Sequence, residues 1–134
     1  LFSSQASGVR GMGFRDTYQD MLAIAYRKPA WARKTLLYLL SQQLRDGCTV
    51  HECFPGQQRA PDPHVHIDAP LWLPMLAYVV LAETGKLALL ECLVPYLGAD
   101  GRPAATATVW EHLRVVTDFI EAHLGRTRAA VHCC

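Results

Sequence analysis

Between Gly47 and Pro70 stand four prolines (Pro55, Pro61, Pro63, Pro70) and Gly56. Proline lacks the N–H that a helix interior or a central strand needs, and it biases the residue before it away from helical backbone. No long element runs through this stretch. It divides the chain into two blocks in which apolar residues recur at helical spacing. Strand-like alternation is scarce in both.

In the first block a helix is expected from about Asp16 or Thr17 to about Tyr26, with Met21, Leu22 and Ala25 on one face. A second starts at Pro29, which suits a first turn, and is expected to end at Gly47. Leu36, Leu37, Leu40 and Leu44 form its stripe, and Arg33, Lys34, Gln42 and Arg45 its wet side. In the second block a helix from about Pro70 to Thr84 is apolar all round, the mark of a buried helix, and Gly85 stops it. A shorter helix from Leu87 to about Leu93 ends before Pro95. After "GADGRP" a last helix runs from about Thr106 to Leu124, its stripe being Val109, Trp110, Leu113, Val116, Ile120 and Leu124. Trp31 and Trp110 are expected in the core, and Glu111 and His112 on a solvated or inter-helix edge. Five helices with one long loop read as an all-α layer structure.

At 134 residues with half of them hydrophobic, the chain has the size and composition of one globular domain. Its net charge of +1 and the lack of any basic stripe argue against nucleic acid. The longest uncharged run, Ala69 to Ala82, is too short to span a bilayer and carries Pro70 and Pro74. Cys48, Cys53, Cys92, Cys133 and Cys134 match no zinc or disulfide framework and read as reduced thiols of a cytoplasmic protein. "LFSSQASGVR" lacks a signal peptide's pattern and an initiator Met, so the expectation is a piece of something longer.

Three constellations carry candidate chemistry. The first is "GVRGMGFRDTYQDMLA", Gly8 to Ala23. Gly8, Gly11 and Gly13 precede a helix, as in anion-binding loops, but neither dinucleotide nor P-loop fingerprint fits. Arg10, Arg15 and Asp16 remain, a donor and acceptor set that suits a polyhydroxylated ligand. The alternative is a loop salt bridge with Asp16 as the helix N-cap. The second is "HVHID": His64, His66 and Asp68 allow a metal, with His51 and Cys53 as further ligands, or serve as hydrogen-bonding loop residues. The third is "APLWLP", where Trp72 either stacks on a sugar ring or packs in the core. No nucleophile, triad or general-base pair is legible.

Taken together, "GVRGMGFRDTYQDMLA", "HVHIDAPLWLPMLAYVVLAETG", "VPYL" and "TVWEHLRVVTDFIEAHLG" resemble glycoside hydrolase family 94 in order and over residues 1 to about 125. The family holds inverting phosphorylases of β-glucosides and a domain of cyclic β-1,2-glucan synthases. Its pattern is Arg-Gly-x-Gly-Phe-Arg-Asp-x-x-Gln-Asp, then Asp-Asp-x-x-Trp-Leu, then Tyr-Glu-His-Leu. The resemblance implies a partial (α/α)6 barrel, incomplete at both ends. It implies that Arg10 and Asp16 hold the sugar on the non-reducing side of the scissile bond, that Arg15 supports them, and that Gln19, Asp20, Asp68 and Trp72 complete the substrate-binding set. The implied partner is a β-linked di- or oligosaccharide, with inorganic phosphate as co-substrate, no other cofactor, no metal and a homodimeric parent. Phosphate attacks the anomeric carbon while an Asp protonates the leaving oxygen, as in inverting hydrolysis with phosphate in place of water.

Two departures qualify this. The family's Asp-Asp is Asp68-Ala69 here, and the acid-bearing Asp-Trp-Asn-Asp, expected after the last helix, is absent from the sequence. "GRTRAAVHCC", residues 125–134, is read as altered and as ending just before that motif. The expectation is therefore a phosphorylase fragment with no catalytic residue of its own and no turnover. A non-catalytic saccharide-binding or helical interaction domain is the alternative.

Overall fold

A computed structural model describes residues 12–56 and 67–124. Its element order starts with a two-residue strand β1, Met12–Gly13, that runs straight into α1, Phe14–Ile24. α1 buries Phe14, Thr17, Tyr18 and Met21. The spacing of Phe14, Tyr18 and Met21 is one helical face. Gly13, with extended backbone, is the N-cap, so Asp16 is not the cap but the third residue of the helix.

α2, Pro29–Leu40, has Pro29 in its first turn as expected. It buries Ala32, Thr35, Leu36, Leu39 and Leu40. It ends seven residues short of Gly47 because Gln43 has other work. The Gln43 carbonyl accepts from Leu97 N at 2.8 Å, and Gln43 bridges Thr49 in antiparallel fashion. The chain reverses at Gly47, whose φ of 98° is cheap only for glycine. It then enters β2, Glu52–Cys53, which pairs antiparallel with β1 in the register Met12↔Cys53 and Gly13↔Glu52.

The second block opens on a single 3-10 turn, Ala69–Leu71, that leads into α3, Trp72–Thr84. Gly85 closes α3 in left-handed conformation (φ 64°) and donates to the Leu81 carbonyl at 2.8 Å. α3 buries Leu73, Leu76, Ala77 and Val80 against α1 and α2, while Leu71, Met75 and Tyr78 stay exposed on its other side. The expected short helix is a 3-10 segment, Leu87–Glu91.

A β-hairpin corrects the expectation of an all-α chain forming part of an (α/α)6 barrel. β3, Leu93–Leu97, and β4, Pro103–Thr108, pair antiparallel with Leu93↔Thr108 and Val94↔Ala107 in register. Residues assigned to two helix ends are thus in strands. Val94 and Tyr96 point inward and Leu93 outward, the two-residue period of a half-buried strand. α4, Val109–Leu124, begins three residues later than expected. Thr108 Oγ1 accepts from Glu111 N at 3.2 Å, and Glu111 Oε2 accepts from Thr108 N at 3.1 Å. This reciprocal pair is a capping box. Trp110, expected in the core, is 55% exposed, whereas Trp31 packs half-buried against the core beneath the Lys28 ammonium.

The four helices of the described residues share one core that holds Tyr18, Leu36, Leu39, Leu73, Leu76, Val109 and Val116. His112, expected at an edge, is fully buried within it. Gln43 reaches His112 from across the fold. Its Nε2 donates to the His112 carbonyl at 3.2 Å, and its Oε1 lies 2.6 Å from His112 Nδ1. Val94 O lies 3.0 Å from Nε2, and Tyr96 stacks on the ring with centroids 4.0 Å apart. Burial pushes the His112 pKa down; the Val94 carbonyl and then Glu111 oppose this more weakly.

Candidate functional site

The glycine-rich run ends at Gly13, where β1 meets α1. The Phe14 amide is one of the donors that a helix start leaves unpaired. It is satisfied from outside the helix, by the His51 carbonyl at 3.0 Å. That bond and the β1–β2 ladder bring residue 51 beside the α1 N-terminus. Thr17 Oγ1 donates to the Gly13 carbonyl at 2.8 Å and ties down the same turn.

A cleft opens here, lined by Gly13, Phe14, Arg15, Asp16, His51, Asp68 and Ala69. Arg15 Nη1 donates to Asp68 Oδ2 at 3.4 Å, linking α1 to the turn that starts the second block. Both side chains are more than half exposed (56% and 51%), so the pair contributes about 0–1 kcal/mol and mainly sets direction. Asp16 lies over Gly13: a Cβ on residue 13 would come within 2.9 Å of Asp16 Oδ2. The cavity is about 40 Å³. Whole ligand sites run to roughly 300 Å³ or more, so this is a small corner of the surface, sized for a hydroxyl or two rather than a sugar ring.

The chemistry of the corner is mixed. Arg15 supplies donors only; Asp16 and Asp68, when ionised, supply acceptors only. Such a set fits hydroxyl groups, which both donate and accept. Of the sequence-predicted residues, the structure brings together Arg15, Asp16 and Asp68. Gln19 and Asp20 lie one turn further along α1, exposed and outside the cleft lining. Trp72 is half-buried against the main core and also outside the lining. Arg10, His64 and His66 lie outside the described residues. Ala69, where the family pattern has a second Asp, is buried and forms part of the wall.

Sequence reasoning missed His51 as a neighbour of Arg15 and Asp16. The signal was weak: "VHEC" runs buried Val50, exposed His51, exposed Glu52 and buried Cys53, with no strand alternation to stand out. Among the described residues no group of three His, Cys, Asp or Glu side chains is placed to hold a metal ion. No helix among them is long and apolar enough to cross a membrane.

The family model "Glycosyl hydrolase 94 superfamily, catalytic domain" matches residues 2–132. The chain is 33% identical over 125 residues to solabiose phosphorylase of Paenibacillus borealis, covering 93% of this chain and 15% of that protein. It is 28% identical over 147 residues to N,N'-diacetylchitobiose phosphorylase of Vibrio furnissii, covering 92% of this chain and 18% of the other. Cyclic beta-(1,2)-glucan synthase NdvB of Rhizobium meliloti (strain 1021) matches at 33% over 93 residues, 69% of this chain and 3% of that protein. The chain therefore spans less than a fifth of the length of each of these relatives.

Proposed function

We propose, for a chain that belongs to the glycosyl hydrolase 94 superfamily, that these residues are the saccharide-holding part of an inverting glycoside phosphorylase. The substrate is a β-linked di- or oligosaccharide and the product a sugar 1-phosphate. The observation that carries the reading is the convergence of Arg15, Asp16 and Asp68 on one cleft at the α1 N-terminus. Two relatives that align over more than nine-tenths of the chain are phosphorylases by name, which supports inorganic phosphate as co-substrate.

In this reading Asp16 accepts hydrogen bonds from ring hydroxyls. Arg15 donates to the ring with the N–H groups that its contact with Asp68 leaves over. Arg10 is proposed to act with them from the glycine run. Gln19, Asp20 and Trp72 are proposed to act further out along the same saccharide. Phosphate needs no general base, since its own charge makes it a nucleophile, but the leaving oxygen needs an acid. The 134-residue sequence contains no Asp-Trp-Asn-Asp. We therefore expect this chain by itself to bind without turnover, as general acid assistance is worth roughly 10²- to 10⁴-fold. A cytoplasmic location and a homodimeric parent belong to the same proposal.

The test uses the purified 134-residue chain with cellobiose or N,N'-diacetylchitobiose. Amide resonances of Gly13, Phe14, Arg15 and Asp68 should shift on titration, and added phosphate should release no sugar 1-phosphate. Release of sugar 1-phosphate contradicts the assignment of the acid to sequence outside these residues. Absence of any shift contradicts the saccharide site.

A further inference from the structure

Arg15, Asp16 and Asp68 each have a part in the proposed saccharide site; His51, the fourth polar side chain of the cleft wall, has none. Its position is not incidental. The His51 carbonyl is held by Phe14 N at 3.0 Å, and the next two residues pair with Gly13 and Met12. Val50 and Cys53, on either side, are buried at 3% and 1% exposure. The backbone at 51 is therefore clamped from both directions, and the residue is exposed and belongs to the wall shared with Arg15, Asp16 and Asp68.

Its chemistry also complements theirs. A sugar hydroxyl donates one hydrogen bond and accepts up to two. The two carboxylates take protons only, and Arg15 directs part of its donor set at Asp68. A neutral imidazole has one N–H and one bare nitrogen, so it meets a hydroxyl in either sense. We propose that His51 is a fourth saccharide-contacting residue of this cleft, hydrogen-bonding a hydroxyl of the ring that Arg15 and Asp16 hold. This rests on the saccharide reading of the site.

The experiment titrates cellobiose and, separately, N,N'-diacetylchitobiose into the wild-type chain and into His51→Ala, His51→Gln, Glu52→Gln and Asp16→Asn. Calorimetry gives the affinity, a thermal melt the fold, and imidazole ¹⁵N–¹H correlation the state of the His51 ring. His51→Ala should weaken binding at least about tenfold with an unchanged melt, the loss of one good hydrogen bond to a polar ligand. His51→Gln, which can still donate and accept, should recover part of it. Glu52→Gln, outside the cleft lining, should bind as wild type. The wild-type His51 ring resonances should move on saturation, a readout that does not depend on any variant folding. Unmoved ring resonances, or wild-type affinity in His51→Ala while Asp16→Asn loses binding, overturn the role of His51 and leave the saccharide site standing. No binding by the wild type, or no loss in Asp16→Asn, overturns the saccharide site and the role of His51 with it.

Discussion

At the scale of single residues, two positions matter most. Gly13 has extended backbone that alanine adopts freely, yet a methyl there would press on Asp16 Oδ2 at 2.9 Å. The carboxylate is the free end of its side chain and can swing aside, so the fold should tolerate the change while the site does not. Gly13→Ala is expected to keep the wild-type melting temperature within error and to weaken saccharide binding, measured by calorimetry on the same samples. His112 is the other position. Burial holds its folded-state pKa below the ordinary 6.5, so the folded chain takes up a proton less readily than the unfolded chain. Its contribution to stability is present above about pH 6.5 and is lost as pH falls from there through the folded pKa. Urea melts between about pH 7.5 and 5 should show stability falling with pH, and His112→Gln should flatten that slope. Neither position was legible as such in the sequence. The motif marks Asp16 as a candidate in the sequence, but its approach to Gly13 needs the turn. His112 finds Gln43 from 69 residues away.

At the scale of elements, what was readable was what is local. The apolar stripe of α2, Pro29 at its start, the all-apolar α3 and Gly85 at its end are each written within a few residues. The failures are where non-local pairing overrides helical spacing. α2 stops at Leu40 because Gln43 is claimed by Leu97, Thr49 and His112. The ends of the β3–β4 hairpin, Leu93 and Thr106 to Thr108, read as helix ends because "PAATAT" has no bulky side chain to reveal a two-residue period. Two signals were present all the same. Asp100-Gly101 is a hairpin turn dipeptide, and Gly101 has φ 79°. Thr108-x-x-Glu111 is a capping-box spacing that fixes the α4 start. Thr108→Ala should therefore destabilise the fold by roughly 1 kcal/mol. Denaturant melts measure this, and a cost near zero would mean that the Glu111 contact alone holds the helix end.

At the scale of the molecule, family membership was legible from motif order, and the family match over residues 2–132 bears it out. The mixed architecture was not, because the strands of the β3–β4 hairpin carry little side-chain signal. α3 presents Met75 and Tyr78 to solvent beside Leu71 of the preceding 3-10 turn, and it is apolar on every side. Helices of that kind are covered in their working state. The isolated 134-residue chain is expected to self-associate through this face, and the double change Met75→Lys, Tyr78→Lys should reduce its weight-average mass in sedimentation. Equal association in both chains would place the sticky surface elsewhere. The central claim is that the α1 N-terminus with Asp68 forms a saccharide site, and the most direct measurement is the affinity of the Asp16→Asn chain for cellobiose or N,N'-diacetylchitobiose. The exchange keeps shape, removes the charge and turns one acceptor oxygen into an amide donor. Binding at least about tenfold weaker, or ~1.4 kcal/mol, at an unchanged melting temperature is the expected result. Wild-type affinity in Asp16→Asn would contradict the claim.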